Sequence, residues 1–403
     1  MQVCFRFREG LEVVHRGPGP SQGVVVVLIL PALVLEAGIE DLLDLLGYHR
    51  DRLFLPDVDP EPVVGPAYLQ DVVVGPERLQ WGPDSGLDLE VVRHVLVLDD
   101  AEETSGGENP HQTAIFYSDI FSSAPSVSDA VQIQGKQLSY NNLLDFDSAL
   151  SIVTEFDELT AVVVKHNNPC GAASSNNLEE AYDLAINTDP QSSFGGIISF
   201  NGEVSEILAK KVVSSFKEGI IAPSFTRDAL EILSAKENLR VLETGSLDNY
   251  QRNPTLRSLD KGWLLQESDE AMINIADCNV VTQRKPSSDE LESLYFAWKI
   301  VKHVKSNAID FARNKYTVGI GAGQMSRIDS VKIAEFKSIP NAKGCVMASD
   351  AFFPFRDGID EAVKAGITAV IQPGGSMRDQ EVIDAANEQN IAMVFTGMRH
   401  FKH

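Results

Sequence analysis

The 403-residue chain is short of several things, and each shortage excludes a class of protein. It has four cysteines, Cys4, Cys170, Cys278 and Cys345, with no pair at metal-ligand spacing. Neither a disulfide framework nor a zinc module is encoded, and a reducing, cytoplasmic setting is expected. Positive charge is scarce: 34 Lys and Arg stand against 58 Asp and Glu, a net charge of −24. That field repels nucleic acid and anionic lipid, so neither is expected as a partner, and an anionic ligand needs a local cluster of cations. Long apolar runs are missing too. The richest, Val24–Leu35, contains Pro31 and falls well short of the ~20 residues of a membrane span. It also lacks the charged start and small-residue cleavage site of a secretory leader.

Residues 1–104 contain no lysine and no asparagine, and hold seven Arg against nineteen Asp and Glu. Roughly half of the net negative charge therefore lies in the first quarter of the chain. Frequent prolines break most candidate elements there. "EAGIEDLLDLLGY" allows one amphipathic helix, with Ile39, Leu42, Leu43 and Leu46 at helical spacing, and "VVRHVLVLDD" allows a strand. We expect an irregular or poorly folded acidic segment over 1–104: a small unrelated domain, a leader or a partner-binding module. The loss of two residue types over so long a stretch is also what a different reading frame or the opposite DNA strand leaves behind.

From Ser105 onward strands and helices alternate, which gives an α/β class. "TAVVVK" is a buried strand and "NNLEEAYDLAI" opens a helix that Asn177 caps. "GGIISF" and "GIIAP" are strands, "SEILAKKVVSSF" and "DELESLYFAWKIVKHV" helices, and "YTVGIGAGQMSR" a strand running into a glycine loop. At the end, "ITAVIQ", "QEVIDAANEQ" and "IAMVF" make a parallel βαβ unit. No internal repeat is readable.

"VVVKHNNPCG" ends a buried strand on Lys165 and His166, two groups able to carry or move a proton near neutral pH. Neighbours on an extended chain face opposite sides, but the Asn-Asn-Pro turn that follows re-aims one of them. The plain alternative is a solvated lysine beside a hydrogen-bonded turn histidine. Cys170, between Pro and Gly, reads as a small buried residue rather than a nucleophile. "GIGAGQMSR" and "QPGGSMRD" are glycine loops whose amides suit an anion or merely pack. Arg327 sits where it can pair with a carboxylate. "SDAFFPFRDGID" offers aromatic rings and an Arg/Asp pair, a slot for a flat heterocycle or a piece of core.

Read together and in order, "GENPHQ", "KHNNPCG", "SSFGG", "GIIAP", "KSNAI", "GIGAGQMSR", "SDAFFPFRDG", "QPGGSMRD" and "MRHFKH" closely resemble the transformylase part of the bifunctional AICAR formyltransferase/IMP cyclohydrolase family, in its bacterial form. The resemblance covers about residues 107–403. It implies two cytidine-deaminase-like α/β subdomains, 105–285 and 286–403, in a cytoplasmic homodimer with sites at the subunit interface. The implied reaction moves a formyl group from 10-formyltetrahydrofolate, a co-substrate, to the amine of 5-aminoimidazole-4-carboxamide ribonucleotide (AICAR), with no metal required. His166 matches the family's base and Lys165 its oxyanion-stabilising partner. Asn307 matches an orienting residue that reaches from the other subunit and also touches nucleotide. Gly195, Glu218, Phe352 and Arg399 match nucleotide-binding positions; Arg327, Asp357, Ser376 and Met377 match the folate side. A zinc deaminase is disfavoured, since "NPCG" lacks a second cysteine two residues on.

Two departures stand out. Ser105 and Gly106 replace an Arg-Tyr pair of the family motif, and losing a charged clamp of that kind costs on the order of 2–5 kcal/mol when its partner is buried. Weakened nucleotide binding, or a non-catalytic homologue, is the expected consequence. Residues 1–104 do not resemble the cyclohydrolase domain, so no cyclohydrolase activity is expected. If the first segment is read in the wrong frame, peptides from residues 1–104 will be missing from a proteolytic map of the natural protein by mass spectrometry. Their detection would rule that origin out.

Overall fold

The structure is a computed structural model that describes residues 104–119 and 125–403 and, before them, the backbone of four strands. The chain divides into two compact units, 1–103 with 115–123, and 104–114 with 124–403.

In the first unit β1 (Gln2–Arg6) and β2 (Glu12–Arg16) form an antiparallel hairpin. Strands β3 (Val26–Ile29), β4 (Val95–Glu103) and β5 (Ile115–Asp119) form an antiparallel sheet in that order. β4 overlaps the strand expected in "VVRHVLVLDD". The helix expected in "EAGIEDLLDLLGY" lies outside the described residues.

The second unit uses one element order twice. Its first half runs β6 (Val131–Gln134), α1 (Tyr140–Val153), β7 (Thr160–Lys165), β8 (Asn168–Ser174), α2 (Leu178–Thr188), the single turn α3 (Pro190–Ser193), β9 (Ile197–Phe200), α4 (Glu206–Val213), β10 (Gly219–Ala222), α5 (Arg227–Ser234) and β11 (Arg240–Glu243). A separate hairpin follows, β12 (Thr255–Leu259) with β13 (Gly262–Gln266). The second half runs β14 (Asn279–Val280), α6 (Ser288–Val301), β15 (Ile309–Arg313), β16 (Tyr316–Gly321), α7 (Arg327–Ser338), β17 (Val346–Ser349), α8 (Asp357–Ala365), β18 (Ala369–Gln372), α9 (Asp379–Glu388) and β19 (Ala392–Phe395). Each half is an edge strand, a helix, an antiparallel hairpin, and three parallel strands with intervening helices. The repeat is one of topology, which is why the sequence hides it.

Both halves share one twelve-stranded mixed sheet, ordered β14-β19-β18-β17-β15-β16-β8-β7-β9-β10-β11-β6. They join where β8 meets β16 antiparallel, with Tyr316 opposite Ala173. Thr317 ties the seam: its Oγ1 accepts from Ala172 N at 2.9 Å, and its carbonyl accepts from Thr188 Oγ1 at 2.7 Å. α1 and α6 cover one face in a core common to both halves, which includes Phe146, Leu150, Trp298 and Val301. The other helices cover the opposite face in two clusters, around Tyr182 and Phe200 and around Phe311 and Met347. The helix after each hairpin lies so close that a side chain at Gly171 or Gly321 would collide with the carbonyl of Ala185 or Ser330, 2.0 and 1.9 Å from an added Cβ.

Local signals explain the helix starts. Asn177 accepts from Glu180 N, Ser205 from Leu208 N and Ser287 from Glu290 N, each an N-cap. β18–α9–β19 is the expected parallel unit. The turn after β7 differs from the expectation. The chain reverses on His166 and Asn167, and Pro169 lies inside β8 beside a register shift that leaves Cys170 unpaired between Pro169 and Gly171. A bulge is where a strand tolerates a residue that cannot donate.

Asp310, in the middle of β15, is fully buried, and among the described residues neither of its carboxylate oxygens has a hydrogen-bond partner. Burial raises its pKa well above the ordinary 3.8. The folded protein therefore holds a proton that the unfolded chain releases, and stability falls as pH rises from about 3.8 toward the folded value. Asp310→Val should raise stability at pH 7 by ~1–3 kcal/mol and flatten that slope, read by urea unfolding across pH. A destabilised variant would show that the carboxyl has a partner.

Candidate functional site

Because β8 and β16 run antiparallel, the tip of the first hairpin lies beside the open end of the second. Lys165 pairs with Asn168 across the tip, and the two residues between them take positive φ, 54° for His166 and 59° for Asn167. His and Asn are among the few non-glycine residues that enter this region readily. Lys165 and His166 are thus not successive strand residues on opposite faces. One closes the ladder and the next leads the turn.

Helix α1 braces the turn with polar residues at i, i+3 and i+6. Asn142 Nδ2 donates to Glu218 Oε2 at 2.9 Å. The Asp145 carboxylate accepts from His166 N at 3.2 Å and from Asn167 N at 2.6 Å. Ser148 Oγ donates to Asn167 Oδ1 at 3.1 Å. Burial pushes the Asp145 carboxyl above its ordinary value, against the two turn amides and His166, while nearby Glu218 adds to the rise. The spacing is present in "NNLLDFDS", a stretch for which sequence alone sets no expectation, so Asn142, Asp145 and Ser148 are not singled out there.

Lys165 Nζ donates to the Phe194 carbonyl at 2.8 Å. Gly195 follows with φ +74°, and a Cβ there would stand 3.3 Å from the Phe216 ring and 3.9 Å from Lys165 Nζ. Glycine keeps the approach to the ammonium open. The segment from Ser105 docks on the start of α1: Ser105 N donates to Leu138 O at 2.9 Å and Tyr140 N to Gly106 O at 3.1 Å. Arg240, whose Nε and Nη2 donate to Gln137 O at 3.3 and 3.2 Å, stands beside Ser105, whose Oγ reaches the same carbonyl at 3.4 Å.

On the second half, Lys305 N donates to Asn168 Oδ1 at 3.0 Å and so brings Ser306 and Asn307 to the turn of their own chain. Asn307 is caged. Its Nδ2 donates to Gln324 O at 2.7 Å and Met325 O at 3.1 Å, and its Oδ1 accepts from Arg327 Nη2 at 2.6 Å. Arg327 is 7% exposed; its Nη1 pairs with Asp350 and donates to Ser349 Oγ at 2.8 Å. Asp350 also accepts from Ser306 Oγ, and its carbonyl accepts from His400 N at 3.0 Å, which anchors Arg399 nearby. The Arg399 guanidinium lies over the Phe401 ring at 4.4 Å. A pocket of ≈ 340 Å³ opens between Ser306, Asn307, Gln324, Met325, Phe401 and His403.

Phe352 is half-exposed after β17, while Phe353 turns inward, its amide donating to Gln372 Oε1 at 2.9 Å. Asp357 opens α8 and accepts from Gly358 N at 2.8 Å. Ser376 N donates to Asp379 Oδ1 at 3.0 Å, and Met377 is fully exposed. The loops carrying them leave the carboxyl ends of β17 and β18 and touch where Arg378 covers the Phe355 ring at 4.8 Å. No hydrogen bond or ion pair among the described residues ties Asp357, Ser376 or Met377 to the Lys165–His166 turn. The structure therefore forms a turn cluster with Lys165, His166, Gly195 and Glu218, a caged cluster with Asn307 and Arg327 beside Arg399, and a loop pair beyond.

The mixed α/β sheet thus carries Lys165 and His166 at the tip of one hairpin and the caged Asn307 just before the first strand of the other. The chain belongs to the AICARFT/IMPCHase bienzyme family, whose model matches residues 88–337. The bifunctional purine biosynthesis protein PurH of Caldicellulosiruptor saccharolyticus is 51% identical over 308 residues, 76% of this chain and 60% of that relative. The chain thus spans about three fifths of the relative it matches. A solved structure of the protein ybgI, of unknown function, aligns over 51% of this chain and 72% of its own at 11% identity, with a TM-score of 0.13.

Breaking a buried ion pair strands its partner's charge. Arg327→Ala should therefore cost about 3–5 kcal/mol of stability in chemical denaturation, beyond any effect on ligand. A loss under ~1 kcal/mol would mean that Asp350 finds another partner or a proton.

Proposed function

We propose that the chain transfers the formyl group of 10-formyltetrahydrofolate to the amine of AICAR, as a homodimer in the cytoplasm. Family membership supports the reaction class, and the matched relative is by name a purine biosynthesis protein. The observation that carries the reading is the hairpin tip, which sets Lys165 next to His166 with Gly195 beside the ammonium, and to which Lys305, two residues before Asn307, is hydrogen-bonded through Asn168.

The roles follow from the chemistry. The amine is conjugated to the imidazole ring and is a weak nucleophile, so it loses a proton as its nitrogen bonds to the formyl carbon. His166 takes that proton. The formyl oxygen gains charge, which the Lys165 ammonium stabilises. When the tetrahedral carbon collapses, the bond to the folate nitrogen breaks, and that nitrogen takes up a proton in exchange. Asn307, fixed on three sides, orients the reacting groups. Glu218, Phe352 and Arg399 serve the nucleotide, with Gly195 leaving it room. Arg327 acts through Asn307 and the floor of the folate side, where Asp357, Ser376 and Met377 lie on the loops. The reading concerns formyl transfer alone.

The test is a formyl-transfer assay with both substrates. His166→Ala should lower kcat by ~10²–10⁴-fold with the fold intact. Turnover that survives this change at the wild-type level would overturn the mechanism.

A further inference from the structure

Asp145 is the middle residue of the polar ridge on α1. Both its oxygens are occupied by one turn, Oδ2 by the amide of His166 and Oδ1 by the amide of Asn167. A single acceptor thus holds two consecutive peptides in a conformation that L residues leave easily. The hairpin closes through its own Lys165–Asn168 pair, so the carboxylate is a further constraint on the tip rather than a need of the ladder. What it adds is direction. With both amides pinned, the His166 Cα–Cβ bond has one orientation relative to α1. Ser148 repeats the restraint on the Asn167 side chain, and Asn168 Nδ2 donates back to the His166 carbonyl at 3.1 Å. The titratable groups facing Asp145 are His166 on the turn and Glu218 before β10. Glu218 is itself held by Asn142 one helical step away.

We propose that Asp145 is a positioning residue: by holding both amide protons of the hairpin tip, it aims the His166 imidazole at the amine that reacts. The inference rests on the reading of His166 as the base, and it places the precision of that base on a helix rather than on the turn.

Two measurements on the full chain test it. Hydrogen exchange of the unliganded protein, followed by mass spectrometry over the tip, should be at least ~10-fold faster at His166 and Asn167 in Asp145→Ala, with the amides of Val162–Val164 unchanged. In the formyl-transfer assay the same variant should lose at least ~10-fold in kcat while KM for either substrate moves less than ~3-fold. Asp145→Glu, which keeps the carboxylate, should recover most of that loss. Asp145→Asn keeps one acceptor oxygen, is read in the same way should the alanine variant not fold, and should show at least ~3-fold faster exchange at the tip and at least ~3-fold lower kcat. Unchanged exchange at the tip, or a loss carried entirely by KM, overturns the proposal. A wild-type chain that transfers no formyl group would sink the reading of His166, while the exchange result would still decide whether Asp145 holds the turn.

Discussion

The site depends on two hairpins meeting along one antiparallel seam, β8 against β16. Antiparallel contact sets the closed end of one hairpin beside the open end of the other. The tip then carries residues that a two-residue turn exposes, and the open end supplies the segment before β15. Parallel contact would put the two tips together and leave Asn307 at the far edge. Thr317 and Thr188 hold the seam from inside, and the missing side chains at Gly171 and Gly321 let a helix press on each of its strands. The candidate site is thus mounted beside a tightly packed seam, where a displacement of either hairpin would open a cavity in a close-packed core.

Much of this was legible and some was not. Runs such as "TAVVVK" and "ITAVIQ" identified strands, because they are short, rich in β-branched residues and apolar on both faces, as a strand covered on both sides is. Cap residues such as Asn177 located helix starts, because a side-chain oxygen there replaces a missing carbonyl. The turn was misplaced because Pro169 is usually a stop, and a bulge that accommodates it leaves no sequence mark. The doubled topology was invisible for a related reason: matching element orders need matching hydrophobic periods, not matching residues. The motif residues of the site were found through resemblance. Their holders, Asn142, Asp145 and Ser148 on α1 and Asp350 after β17, were missed because a polar side chain reads as surface until the fold brings it a partner.

Arg327 shows how burial changes what a motif residue does. In the sequence it is a cation after a glycine loop, free to meet a carboxylate from a ligand. In the fold its two terminal nitrogens are committed to Asp350, Ser349 and Asn307. A planar, permanently charged fork can orient an amide and neutralise a buried acid at once, which a lysine cannot. Its influence on any ligand then passes through the cage around Asn307.

Charge at the site follows the same logic. The chain carries a net −24, which works against an anionic ligand. Arg327 is matched by Asp350 and contributes little net field. His166 faces Asp145 and lies near Glu218, both acidic. Lys165 is different, because its ammonium bonds to a neutral carbonyl, that of Phe194, and among the described residues it has no ion pair. A dipole orients a cation without cancelling it. The positive charge next to the imidazole therefore stays available, at a point where the lack of a side chain at Gly195 leaves the approach open. An acidic protein can hold one such uncompensated charge in place, and its effect is greatest on an oxygen that acquires negative charge during reaction.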